Sequence, residues 1–192
     1  MAVNLFEEVN KLMGTPIVKK EDPAVTGKKE FEKTLEGAAL PAAMAGIYHF
    51  AASTEGAQQI ANYIQNERAA LENPRNDGNV SFTFGNKSEE VVTKITNYSG
   101  APRAIAHDTL NEACRTAYLV MVRELVTDKL KPEDITRFMV AQRHIILSHL
   151  PEALQLGHLL GDETIDDVSN KMAGPISNLM HNLGESFSGS PR

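Results

Sequence analysis

The sequence predicts an all-α protein, a multihelical array of about seven to eight helices, with a short extended segment near residues 80–84. Three observations predict it. Apolar residues recur at spacings of three and four through most of the chain. Glycine and proline punctuate these runs where helices would stop. Only one stretch, Val80-Ser81-Phe82-Thr83-Phe84, alternates with the period of two that a strand requires. A chain of 192 residues buries roughly 70% of its unfolded surface on folding, so a core with tails needs no covalent staple.

Residues 1–18 read as an N-terminal helix. Leu5, Val9 and Leu12 share one side, and Gly14 and Pro16 close it. Residues 19–37 mix lysines with acids around Pro23 and Gly27, the composition of a solvated connector. A helical core domain then spans 38–161. Its first helix, Ala38 to Ser53, sets Met44, Ile47, Tyr48 and Ala51 on one face. Ser53 caps a second, in which Ala57, Ile60, Ala61 and Ile64 fall in register. Asn73 to Gly78 is a turn cluster. Phe82 and Phe84 follow, either plugging the core from an extended loop or offering a strand to a partner's sheet edge or a second copy.

Asn86 to Tyr98 resumes helix, with Val91, Ile95 and Tyr98 in line and Gly100-Ala101-Pro102 as its end. The next helix is expected to start near Thr109, where Thr109 and Glu112 have capping-box spacing, and to be the most buried, through Leu110, Cys114, Ala117, Met121 and Leu125. From Lys131, Pro132 suits a first turn, and Glu133 and Asp134 suit the positive end of the helix dipole. Ile135, Phe138, Met139 and Ile146 form a stripe that Gln142 interrupts. A buried Gln142 needs a hydrogen-bond partner, as a polar bridge or a pocket edge. Pro151 ends this helix and starts another, which Gly161 stops. Residues 162–183 continue as C-terminal helices, and 184–192 have a tail composition.

Several of these pieces together resemble the YidB-like family of uncharacterised bacterial proteins, a domain of unknown function. The residues that carry the resemblance are Leu40-Pro41 through Gly46, Ser53-Thr54-Glu55-Gly56-Ala57, Phe84-Gly85-Asn86-Lys87 followed by Val91, Ile95 and Gly100, and Leu150-Pro151 leading to Leu159-Leu160-Gly161. The resemblance covers roughly residues 35 to 161. It implies an all-helical array with no established activity, and it carries over no functional residue.

Composition disfavours several function classes. The net charge of −6 and the lack of a basic run argue against nucleic acid or an anionic membrane as partner. The apolar stretches are broken well before the ~20 residues of a membrane span. The single Cys114 allows no internal disulfide and fits a cytoplasmic protein with an inert buried thiol. No Gly-x-Ser-x-Gly elbow or phosphate-binding glycine loop is present. The best catalytic constellation is His144, His149 and His158 with Asp162 and Glu163, which suit zinc or iron by type. On one helix, however, His144 and His149 point about 140° apart. Arg115 and Arg123, on the second of two consecutive helices, are flanked by Glu112 and Glu124, a poor DNA-reading face.

The expectation is therefore a non-enzymatic, cytoplasmic module with no assigned catalytic, cofactor or metal residues, acting on a protein partner or as a homo-oligomer. Its contact elements are the Phe82/Phe84 segment and the C-terminal helix around Ile176, Leu179 and Met180. The alternative is a metal- or small-molecule-binding enzyme with a site near the Leu150-Pro151 bend, built from His149, His158 and Gln142.

Overall fold

The computed structural model describes residues 3–14, 35–66, 78–125 and 130–166. The turn at 73–77, most of the 19–37 connector, the C-terminal residues Ile176, Leu179 and Met180, and the 184–192 tail lie outside them. The described residues form an all-α array without strands: α1 (Leu5–Leu12), α2 (Leu35–Ala52), α3 (Thr54–Asn66), α4 (Asn79–Phe84), α5 (Ser88–Ser99), α6 (Arg103–Glu124), α7 (Pro132–His149), α8 (Leu156–Leu160) and α9 (Glu163–Asp166). Single 3₁₀ turns precede α5 and α8.

The array is built around α2. Every residue from Gly37 to Ile47 is buried, and α6, α7, α3, α5, α4, α1 and α8 all pack on it. A helix buried all round reads as uniformly apolar, with no face to single out. The expectation that the Cys114 helix is the most buried is corrected on this point. Small residues make the close approach possible. Gly46 receives the edge of Phe84, and a Cβ there would run into that ring and stand 3.0 Å from Thr83 Cγ2. The helix also starts at Leu35, inside the segment read as connector, which leaves Pro41 in its interior.

Ser53 caps α3 as expected, its Oγ accepting from Gly56 N at 2.9 Å. Ala57, Ile60, Ala61 and Ile64 are all buried. Gly100 closes α5 in the left-handed conformation at φ 71°. The helix expected from Asn86 begins at Ser88, after a 3₁₀ turn through Asn86.

Three further elements differ from expectation, each for a physical reason. The extended segment at 80–84 is α4, a helix. Over five residues a strand face takes 80, 82 and 84 and a helix face takes 80, 83 and 84, so the two periods share two positions. Thr83, the residue that differs, is buried against Tyr118. Second, α6 starts at Arg103, not Thr109. Thr109 sits in its second turn and donates back to the Ile105 carbonyl at 2.8 Å. Third, the helix expected from Pro151 to Gly161 is broken. A 3₁₀ turn at Glu152–Leu154 leads to Gln155 in the left-handed region (φ 45°), and only then does the five-residue α8 begin. Leu12, expected on the packed side of α1, is 55% exposed.

The Lys131 start behaves as its residues dictate: Pro132 opens α7, and the Asp134 carboxylate accepts from Lys131 N at 3.1 Å. Gln142 is buried (4% exposed) and bridges to α1, its Oε1 accepting from Leu5 N at 3.0 Å and its Nε2 donating to the Val3 carbonyl at 2.8 Å. It satisfies one of the N–H groups that every helix start leaves over.

Candidate functional site

The histidines around the Pro151 bend do not converge. His144 and His158 are exposed, and His149 is half-buried at the end of α7. The His149 ring stacks on Phe6, with centroids 4.0 Å apart, and its Nδ1 lies 2.8 Å from the Ile145 carbonyl and 3.1 Å from Ser148 Oγ. Gln142 is spent on the α1 backbone. Glu163 is exposed. Asp162 accepts from the Thr164 hydroxyl at 2.6 Å and from its N–H at 3.2 Å, and so starts α9. Among the described residues no group of three or more His, Cys, Asp and Glu side chains is placed to hold a metal. The histidine that does face Asp162 is His49, at the end of α2, with Nδ1 3.6 Å from Oδ2. No local signal in the sequence pairs these two, because the contact depends on α8 folding back onto α2.

A second polar group is buried where α3, α4 and α6 meet. Tyr63 donates to Asn79 Oδ1 at 2.9 Å, and Asn111 Oδ1 accepts from Asn79 N at 3.1 Å and from Val80 N at 3.4 Å. Thr83 donates to the Asn79 carbonyl at 2.8 Å and lies 3.0 Å from the Tyr118 hydroxyl. The rings of Phe50, Tyr63, Phe82 and Tyr118 enclose this network. Burial pushes the Cys114 thiol up to about 12 and the Tyr118 phenol well above its ordinary range. A thiol held protonated is a poor nucleophile. The network therefore fastens α4 onto α6. Phe82 and Phe84, expected as a contact surface, are instead engaged inside the fold: Phe84 is 5% exposed and Phe82 sits within the ring cluster.

A concave surface lies at the other end of α6, beside the start of α7. Leu125, Leu130, Phe138 and Ala141 line a groove of about 380 Å³, with Glu124, Asp134 and Arg137 at its edge. Asp134, Phe138 and Ala141 are successive positions on one stripe of α7, so the helix period itself builds this wall. Arg137 reaches Asp134 Oδ1 at 3.4 Å. A second, more polar concavity of about 350 Å³ continues past Glu124, between Val3, Asn4, Glu7, Glu8 and Arg123. Arg123 binds Glu8 Oε2 at 2.8 Å and Glu124 Oε1 at 3.0 Å. Its guanidinium holds the Glu8 carboxyl below the usual carboxylate range. Arg115 is likewise engaged, by Glu112 at 2.7 Å. Sequence reasoning placed Phe138 on the core stripe and missed the groove, because which flank of a stripe stays uncovered depends on where the neighbouring helices end.

No described helix is long and apolar enough to cross a membrane. Comparison with family models, curated proteins and solved structures yields no match.

Proposed function

We propose that this chain is a non-enzymatic helical module that acts by holding a polypeptide in the groove between α6 and α7. One observation supports this reading above the others. The groove is lined by the apolar Leu125, Leu130, Phe138 and Ala141 together with the charged Glu124, Asp134 and Arg137, the mixture that protein interfaces show. Its apolar lining suits the apolar side of an amphipathic segment. The resemblance to the YidB-like family, which implies helical proteins without established activity, and a place in the cytoplasm belong to the same proposal.

The alternative at the Pro151 bend draws little from the geometry. His149 is turned into Phe6 and its own helix, and Gln142 is occupied by α1.

The test is a photo-crosslinking residue at Ala141 in the full chain, expressed in its native cells. A discrete polypeptide adduct, lost when Phe138 is changed to Asp, is the expected outcome. A chain that yields no adduct there, yet purifies with a stoichiometric metal or small molecule that His149→Ala/His158→Ala abolishes, would replace this function with the enzymatic one.

A further inference from the structure

Independently of the groove, we infer that α8 and α9 form a pH-sensitive strap over the end of α2, held shut by protonated His49 on the Asp162 carboxylate and loosened as the ring loses its charge.

The strap is a unit of its own. Asp162 N donates to the Gly157 carbonyl at 2.9 Å, and the Asp166 carboxylate closes the turn on the Gly157 and His158 N–H groups. Gly157 lets the two stretches of backbone meet, since a Cβ there would stand 2.5 Å from the Asp162 carbonyl oxygen. Leu156, Leu159 and Ile165 are its buried side chains. The unit joins α7 through Gln155, whose φ of 45° is a left-handed conformation unfavourable to a residue with a side chain. Release of the strap relieves that strain, so the joint works against the docked state.

Two polar contacts oppose release. Arg143 Nη2 donates to the Thr164 carbonyl at 3.2 Å, and an arginine keeps its charge at every relevant pH. The second is the His49–Asp162 pair, with Nδ1 3.6 Å from Oδ2. That Nδ1 is shut off from solvent and makes no hydrogen bond among the described residues. A neutral ring with its proton on Nε2 turns a lone pair toward the carboxylate. Protonation puts an N–H in that place and creates a charge-assisted contact. His49 also stands in the last turn of α2, where the helix dipole favours a cation. Asp162 Oδ1 is already fixed by the Thr164 N–H and hydroxyl, which leaves Oδ2 to His49. One carboxylate thereby ties the start of α9 to the end of α2.

The other charged groups nearby are engaged elsewhere or exposed. On the strap, Asp166 is spent on the two amides, and His158 and Glu163 are exposed. On α7, Arg143 holds the Thr164 carbonyl and His144 is exposed. Glu55 of α3 accepts from Gln59 Nε2 at 3.2 Å. On α5, Glu90 pairs with Lys87 and Glu89 with Arg103, and Lys94 is half-buried. Among the described residues, Asp162 is the charged side chain that pairs with His49.

The experiment is hydrogen exchange of the full-length chain at about pH 5.5 and about pH 8, each rate divided by the intrinsic rate at that pH. Histidine is the side chain that changes charge across this interval. The Leu159, Asp162 and Ile165 amides are expected to open about threefold more at the higher pH, the scale of one partly exposed ion pair, while the α2 amides hold steady. The difference is expected to vanish in His49→Gln and in Asp162→Asn, where asparagine retains the cap on α9. It is expected to persist in His144→Gln and His158→Gln. A parent chain whose strap opens equally at both pH values would overturn the inference. So would a response that survives His49→Gln or Asp162→Asn, or one that disappears with His144→Gln or His158→Gln, because the titrating group would then lie elsewhere.

Discussion

Gln142→Met isolates the polar bridge between α7 and α1. Methionine keeps the length and approximate volume of glutamine, so little cavity forms, while both hydrogen bonds disappear. The Leu5 N–H is then left buried without an acceptor, in a residue with no solvent exposure. The Val3 carbonyl belongs to a half-exposed residue and turns to water. An orphaned buried donor costs about 1–3 kcal/mol, and the apolar thioether recovers only part of it, so a loss of about 2 kcal/mol is expected. For a chain of this length that corresponds to a fall in Tm of roughly 4–8 °C. Urea unfolding followed by circular dichroism measures the total, and hydrogen exchange locates it. The Leu5 and Phe6 amides should lose protection before those of α2, because the bridge ties the first turn of α1 to α7. A Gln142→Met chain within ~0.5 kcal/mol of the parent, with the Leu5 amide still protected, would show that surface-like variation suffices here and refute the reasoning.

Two further outcomes follow from contacts described above. Gly46→Ala pushes a methyl into the Phe84 ring and should cost about 1–3 kcal/mol; adding Phe84→Leu should return part of that loss, and strictly additive effects in the four-variant cycle would count against the contact. Glu112 is held below the ordinary glutamate range by the Arg115 guanidinium. Its folded value lies under its unfolded one, so its contribution is present above the ordinary range and lost as pH falls through the lowered folded value. The stability gap between the parent and Glu112→Gln should therefore be steady at neutral pH and close below about pH 4; equal gaps in urea midpoints at pH 7 and pH 3 would contradict this.

How far the sequence reached depended on whether the cause of a feature was local. Ser53 as a cap, Pro132 in a first turn, and Gly100 and Gly161 as left-handed stops follow from the conformational preferences of one residue, and each is in place. Gln142 was also legible, since a polar residue within an apolar stripe demands a partner, although nothing local named the α1 backbone as that partner. The period of residues 80–84 was ambiguous because the segment is shorter than two helical turns. The early start of α6 was hidden by Ile105, which is 52% exposed and spoils the apolar stripe. Gln155 at φ 45° is the least legible feature: its left-handed backbone is set by the return of α8 onto α2 and not by its own preference. The candidate groove was illegible for a related reason, being a gap left by the ends of other helices.

The central position of α2 bears on how the molecule comes apart. Its main partners, α6 and α7, come from far along the sequence, so neither can detach and leave this helix satisfied. Peeling away either of these exposes a face of alanine, glycine and leucine that has no alternative cover. Opening of α2 should consequently require the whole array to open, in a single cooperative step. Partial unfolding is left to the periphery, where α1 is held by the Gln142 bridge, the Arg123–Glu8 ion pair and the burial of Leu5, Phe6 and Val9, and α8 with α9 by the Asp166 carboxylate, which accepts from Gly157 N at 2.9 Å and His158 N at 2.7 Å. The outermost described helices can thus change state while the centre keeps the memory of the fold.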